Sequence, residues 1–387
     1  MESQQKKALV DLLEYLRHNN DYYEKRIPKF KFDLECSINE ILSKIPIISR
    51  EDINYNIESY LSKSDDFITY ELTSGTTGEP FRCYKTKQER MLLALAEWKC
   101  RKEWDVTVRN KTFFPLMGVN DKYSIDFANY SDDNIQKIFK AIAAQNAEWL
   151  CGSPSTLYNY AKKIEDKVVE PIDTLKFIEL QGEYADIFVR KYIEDRFKCR
   201  TIMHYGNREC WAMAYECPSG SMHVMDNVIL ENIYDENDNP IIVTTNLIAK
   251  KMPFLRYNTG DVGIVSRQRC SCGKQGLVVE LLGGRRANTI YGYDAIGDIV
   301  FKKIIHNVIN KERISKDIIR HFRVEQREKN LFVYYLDKGL DFEDIYYQEI
   351  TERTREALDG NVRVIFADYI SKKKKYKIFE TMIKEDE

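Results

Sequence analysis

The 387-residue chain carries 59 Lys and Arg against 61 Asp and Glu, a net charge of -2, with 43% hydrophobic and 12% aromatic residues. This composition is ample for a packed core, which excludes wholesale disorder, and it lacks the basic excess of a nucleic-acid binder. No apolar run approaches the roughly 20 residues that span a bilayer, and the polar start Met1–Lys7 leads into no apolar stretch of the secretion-signal kind, so the chain reads as soluble and cytosolic, without a membrane partner.

The length suffices for one large and one small domain. In chain order, residues 7–62 read as helices and turns, because Leu9, Leu12, Leu13 and Leu16 recur at helical spacing. A polar, Gly-rich interruption follows at 73–80, then a helix over 87–103. From about 137 to 205 helical and strand-like segments alternate, with Ile135–Ala147 as helix, Leu175–Glu179 as strand and Phe188–Phe197 as helix. Such alternation predicts a layered α/β body. After Tyr205 the segments His223–Ile233, Pro240–Thr245, Gly260–Val265 and Leu277–Leu281 are short and β-rich, as in an antiparallel subdomain. Further on, Phe322–Val324 and Leu331–Leu336 read as strands. Phe342–Leu358 reads as an amphipathic helix closed by Gly360, and Val362, Val364 and Phe366 alternate as a last strand. The expected fold is a mixed α/β and α+β chain. It has a large layered domain over 1–284 that includes the antiparallel β subdomain, and a small α+β domain over 285–387.

The chemistry-bearing stretches are few. Thr73-Ser74-Gly75-Thr76-Thr77-Gly78-Glu79-Pro80 has two glycines that let backbone N–H groups turn inward, and three hydroxyls beside them. A concave set of donors suits phosphate oxygens, although a plain surface turn has the same composition. Of the nine cysteines, Cys36, Cys83, Cys100, Cys151 and Cys199 are scattered. In a reducing compartment all nine should be thiols or metal ligands. Cys217, His223, Cys270 and Cys272 make a three-Cys, one-His set, a common closed shell for structural Zn²⁺, with free thiols in a half-buried sheet as the other reading. Cys210 is the alternative fourth ligand in place of His223.

The 73–80 loop is followed in order by Gly182-Glu183, Tyr205-Gly206-Asn207-Arg208-Glu209, Arg256-Tyr257-Asn258-Thr259-Gly260-Asp261, Gly284-Arg285 and the lysine-rich 372–377 stretch. Together they resemble the adenylate-forming superfamily, and most closely its phenylacetate–CoA ligase branch, especially the shorter relatives of capsule-biosynthesis clusters. The words Glu216-Cys217-Pro218, Met252–Tyr257 and Cys270–Gly273 share that idiom, so the resemblance covers nearly the whole chain.

The resemblance implies an AMP-forming ligase that converts a carboxylic acid to an acyl-adenylate and passes the acyl group to a thiol, that of CoA or a carrier protein. It implies ATP and Mg²⁺ as cofactors. Ser74, Gly75, Thr76, Thr77 and Gly78 would hold phosphates, Glu209 would bind Mg²⁺, and Tyr205 and Gly206 would lie at the adenine. Gly182 and Glu183 would lie beside the adenine and the acyl pocket, Asp261 would accept both ribose hydroxyls, and Arg285 would approach the nucleotide. Lys375 matches the family's catalytic lysine, among neighbours Lys372, Lys373, Lys374 and Lys377. Trp149, Cys151 and Ser153 are expected near the acid. A homodimer is left open.

The chain departs from the family at three places. Glu79 replaces a common Lys, the glycine before Lys375 is missing, and Arg286-Ala287-Asn288 lacks the acidic hinge residue. The last puts a CoA acceptor in question. An amine, sugar-hydroxyl or cofactor acceptor, or a non-catalytic binding subunit, are the alternatives.

Overall fold

The computed structural model describes residues 2–27, 36–63, 68–72, 81–104, 113–116, 119–120, 125–285, 288–293, 295–309, 317–358, 360–370 and 376–383; of residues 119–120 and 284–285 it describes the backbone alone. Thus the 73–80 loop, Arg286, Ala287 and Lys372–Lys375 lie outside the described residues.

The chain packs into two compact units, Met1–Arg109 with His204–Leu281, and Asn110–Met203 with Leu282–Glu387. The first opens with helices α1 (Glu2–Asn19), α2 (Asp21–Glu24), α3 (Ile38–Leu42), α4 (Arg50–Tyr55) and α5 (Ile57–Tyr60). The Leu9, Leu12, Leu13 and Leu16 stripe of α1 is buried, as its spacing predicts. Capping boxes start α3 and α4: Ser37 with Glu40, and Ser49 with Asp52. A two-stranded ribbon of β1 (Ile68–Leu72) and β2 (Arg82–Thr86) leads into α6 (Lys87–Arg101), again through a capping box, Thr86 with Glu89.

The second unit takes up β3 (Phe113–Pro115), β4 (Val119–Asn120), β5 (Ile125–Asp126), α7 (Asp132–Ala144), β6 (Trp149–Gly152), α8 (Pro154–Glu165), β7 (Phe177–Leu180) and α9 (Ile187–Phe197). Its strands β3, β6 and β7 pair in parallel, with residues 200–203 of β8 (Arg200–Asn207) beside β7. Parallel pairing requires crossover helices, which α8 and α9 supply. The predicted helix at 135–147 starts three residues earlier, at Asp132, and ends at Ala144.

Residues 204–207 of β8 belong to the first unit and pair antiparallel with β9 (Trp211–Glu216), which pairs with β10 (Met222–Val224). Strands β11 (Val228–Tyr234), β12 (Pro240–Asn246), β13 (Tyr257–Arg269) and β14 (Gln275–Arg285) follow, with β11, β12, β13, β14 and β10 as successive neighbours. The antiparallel subdomain expected after Tyr205 is present. The expected segment 223–233 is two strands, because Met225–Asn227 turns the chain between β10 and β11.

The second unit ends in α10 (Gly297–Val308), β15 (Ile319–Glu328), β16 (Leu331–Lys338), α11 (Ile345–Ala357), β17 (Arg363–Asp368) and β18 (Phe379–Thr381), with sheet order β17-β16-β15-β18. Its core centres on Phe301, fully buried and stacked on Phe379 at 5.2 Å. Gly297 opens α10 hard against that ring: a Cβ there would come within 2.1 Å of Phe379 Cδ1. In α11, Tyr346, Ile350 and Thr354 point inward at the predicted period, and Gly360 takes the left-handed φ of +86° expected just past it. Helix α10 and strand β18 were not among the expected elements, although Phe301, Ile304, Ile305 and Val308 of α10 recur at i, i+3, i+4 and i+7 and are all buried. The β-branched and aromatic start Ile299-Val300-Phe301 reads locally as a strand and masks that period over the first turn.

His321 of β15 lies inside this unit, 3% exposed, with Tyr158, Tyr369 and Tyr376 around its ring at 4.6, 4.7 and 4.2 Å. Burial, then the Lys162 and Arg323 charges, lower its pKa to about 3. The unfolded chain, with His near 6.5, therefore binds the extra proton first. Stability is full above about pH 6.5 and falls by up to about 1.4 kcal/mol per unit as the pH drops from there towards 3. Urea unfolding at pH 7.5 and 5.0 should show this loss, and His321→Phe should flatten it. Equal pH dependence in both proteins would refute the assignment.

Candidate active site and candidate metal centre

In the first unit the β8–β9 hairpin and β13 hold three of the expected residues in two side-chain pairs. Tyr205, 6% exposed at the end of β8, donates its hydroxyl to Asp261 Oδ2 at 3.0 Å. The carboxylate has two oxygens with about four acceptor positions, so this bond orients it without exhausting it. At the hairpin tip Asn207 accepts from the Cys210 N–H at 2.7 Å and closes the turn that carries Glu209. Gly206 is required just before it, where a Cβ would sit 2.1 Å from the Trp211 carbonyl. Glu209 is 7% exposed and takes the Tyr257 hydroxyl on Oε1 at 3.0 Å. Its other oxygen has no hydrogen-bond partner among the described residues. A buried carboxylate anchored on one oxygen fits a hard cation such as Mg²⁺ at the other.

Burial and the Glu209 charge, in that order, hold the phenol of Tyr257 far above its ordinary range, so it stays a donor. The same two causes push the Cys210 thiol up to about 12. Sequence reasoning gave Tyr257 no role, although it stands four residues before Asp261 on the same strand.

In the second unit Gly182 has a φ of +80°, which explains glycine after β7. Glu183 accepts from the Ser155 N–H and hydroxyl, both at 3.1 Å, at the start of α8, where a negative charge also meets the positive end of the helix. It further accepts the Tyr376 N–H at 3.4 Å. The three residues expected near the acid have structural contacts. Trp149 is 2% exposed in β6 and packs on Phe113 at 4.8 Å, and Cys151 is 1% exposed with its thiol on Glu179 at 3.8 Å. Ser153 caps α8, accepting from the Thr156 N–H at 3.3 Å. The Arg285 side chain, the residues Ser74–Gly78 and Lys375 are outside the described residues.

The cysteine set is assembled. One ligand atom from each of Cys217, His223, Cys270 and Cys272 can be chosen so that all four lie within 4.8 Å of one another. Cys217 Sγ lies 3.7 Å from Cys270 Sγ, and Cys272 Sγ lies 3.4 Å from His223 Nε2. Tetrahedral zinc, with bonds of about 2.3 Å to sulfur and 2.0–2.1 Å to nitrogen, spaces neighbouring ligand atoms about 3.5–3.8 Å apart. The donor set and its spacing therefore fit Zn²⁺. Cys217 begins the β9–β10 turn, and Cys270 and Cys272 lie in the β13–β14 turn, where Gly273 has a φ of +86°. The Ser221 hydroxyl, the Cys272 N–H and His223 lower the Cys270 pKa to about 5, while burial raises Cys217 to about 11. Cys210, the alternative fourth ligand, is fully buried outside this group.

No family model matches the chain. In the solved structure of 2-hydroxyisobutyryl-CoA ligase in the postadenylation state with 2-HIB-AMP, the likeness covers 98% of this chain and 89% of that one, at a TM-score of 0.76 and 12% identity. The protein has the fold of the adenylate-forming ligases. Among curated proteins it is 21% identical to protein CapK of Staphylococcus aureus over 283 residues, 66% of this chain. It is 22% identical to phenylacetate-coenzyme A ligase of Thermus thermophilus over 300 residues, 70% of this chain and 67% of that protein. The aligned region spans about three fifths (61%) of CapK's length. The chain is thus similar in sequence, at about a fifth of aligned positions, to a phenylacetate–CoA ligase and to CapK.

Proposed function

We propose that the protein activates a carboxylic acid with ATP and transfers the acyl group to a thiol, that of CoA or a carrier protein. The observation that carries this reading is the arrangement in the first unit: Tyr205 bonded to Asp261, and Glu209 held by Tyr257 on the same strand as Asp261. An oxygen of the acid attacks the α-phosphorus, the bond to the β-phosphate oxygen breaks, and pyrophosphate leaves with the electron pair. The mixed anhydride is then attacked by the thiol, and AMP departs.

In this scheme Asp261 accepts the ribose hydroxyls and Tyr205 and Gly206 border the adenine. Ser74, Gly75, Thr76, Thr77 and Gly78 donate to the phosphates. Gly182, Glu183 and Arg285 serve the nucleotide and acid, and Lys375 supplies the cation of the first step. Mg²⁺ at Glu209 would offset phosphate charge. In this reading residues 1–284 form the ATP- and acid-binding domain and 285–387 the small mobile domain, which in this structure packs with 110–203 into one unit. Cys217, His223, Cys270 and Cys272 hold a structural Zn²⁺ that closes the β-rich subdomain.

The test is exchange of labelled pyrophosphate into ATP across aromatic, hydroxy, amino and short-chain acids, with thiol consumption in the presence of CoA as a second arm. No exchange with any acid would end the reading. Exchange without CoA turnover would move the acceptor to a carrier protein, an amine or a hydroxyl, as the missing acidic hinge residue near Arg286 suggests. Asp261→Ala removes charged hydrogen bonds worth about 1.5–3 kcal/mol each, so the KM for ATP should rise about 10–100-fold with a folded protein. An unchanged KM would place the ribose elsewhere.

A further inference from the structure

Lys85 of β2 is a buried cation, 2% exposed, that sequence reasoning passed over. Its Nζ donates to the Arg208 carbonyl at 2.6 Å and lies 3.8 Å from Glu71 Oε2. Glu71 is in turn held by the Trp211 indole N–H at 2.9 Å and by Arg90 at 2.7 Å. These residues surround one short turn, Asn207–Trp211, whose tip is Glu209. Trp211 sits at a φ of +60°, a costly conformation for a bulky residue, so something outside the turn must hold it there.

The Arg208 carbonyl and the Glu209 N–H belong to one planar peptide. A donor locked on that carbonyl therefore fixes the plane from which the Glu209 side chain departs. Tyr257 holds the far end of the same side chain. Lys85 pins the backbone root and Tyr257 one carboxylate oxygen, which leaves the second oxygen aimed in one direction. The Lys85 charge also acts on both thiols that flank Glu209, those of Cys83 and Cys210.

We propose that Lys85 is a positioning residue for the cation-binding carboxylate of Glu209. The inference rests on the reading of Glu209 given above, and the experiment separates the two. Mn²⁺ is titrated into wild-type protein in the presence of ATP and followed by electron paramagnetic resonance, beside Lys85→Met, Lys85→Gln, Glu209→Gln and Lys251→Met. Lys251 is the matched control: 8% exposed, in the same unit, with its Nζ on a carbonyl, that of Ser62 at 2.6 Å.

Outer-shell partners of metal ligands carry about 10–100-fold in affinity. Lys85→Met and Lys85→Gln should weaken Mn²⁺ binding by at least about tenfold, and should raise the Mg²⁺ concentration for half-maximal pyrophosphate exchange in parallel. Lys251→Met should lose similar thermal stability and bind Mn²⁺ as wild type does. If Glu209→Gln leaves Mn²⁺ binding unchanged, the reading of Glu209 falls and this inference with it. If Glu209→Gln weakens binding and folded Lys85 variants do not, the inference alone is overturned. Lys85 variants that fail to fold beside a folded Lys251→Met would likewise overturn it, since Lys85 would then serve the fold.

Discussion

Lys375→Ala is expected to lower pyrophosphate exchange about 10²–10³-fold while ATP still raises the melting temperature. Charge builds on the phosphates as the α–β bond breaks, and removing one fixed donor to such charge costs that much in well-studied cases. The choice of Lys375 over its neighbours has a physical basis on one side. Lys377 pairs with Glu380 at 3.8 Å, a half-exposed ion pair of the surface kind, so Lys377→Ala should change exchange by less than about threefold. On the other side, the residue after Lys375 is anchored. The Tyr376 ring packs on His321 at 4.2 Å, and its hydroxyl donates to the Phe322 carbonyl at 2.6 Å. Full exchange in Lys375→Ala would pass the role to Lys372, Lys373 or Lys374.

Zinc removal is expected to have the other large effect, on stability. Structural zinc contributes about 10–16 kcal/mol of binding free energy in small zinc-dependent folds, and a larger unit retains part of its stability without it. A loss of several kcal/mol in a unit of this size lowers the melting temperature by about 10 °C or more. Cys270→Ser and Cys272→Ser should both do so, and elemental analysis should find one zinc per chain in the parent protein. Cys199→Ser, a half-buried thiol outside the cluster, should leave the metal content unchanged. A parent protein without stoichiometric metal, whose melting is indifferent to chelator, would mean that four free thiol and imidazole groups merely pack there. The two turns that carry the ligands each close with their own backbone bonds, Gly220 N–H to the Cys217 carbonyl at 2.8 Å and Gly273 N–H to the Cys270 carbonyl at 3.0 Å. The ligands are therefore preset, and the metal would join two turns rather than build them.

Much of this molecule is legible in the chain. The leucines of α1 repeat every three or four residues and are buried; the inward residues of α11 do the same. The β-rich character after Tyr205 is written in alternating short runs. Gly182, Gly273 and Gly360 stand where the backbone takes positive φ. Local periodicity and turn chemistry need no knowledge of distant residues, so sequence suffices for them. The order of the motifs was equally readable, and with it the adenylate-forming ligase fold.

The pairings that give each motif residue its work were not readable. Glu209 meets Tyr257 across 48 residues, Lys85 meets the Arg208 carbonyl across 123, and Cys217 meets Cys270 across 53. Nothing local separates Lys85 from the exposed lysines around it except that it shares a strand face with the buried Cys83. The choice of His223 over Cys210 depends on strand register: His223 pairs opposite Val278 of β14, near the Cys270–Cys272 turn. A one-residue slip would turn its ring to the other face of the sheet. Sequence alone determined which chemical groups this protein owns and in what order. Register and burial, which arise only when distant segments pair, decided which of them face one another.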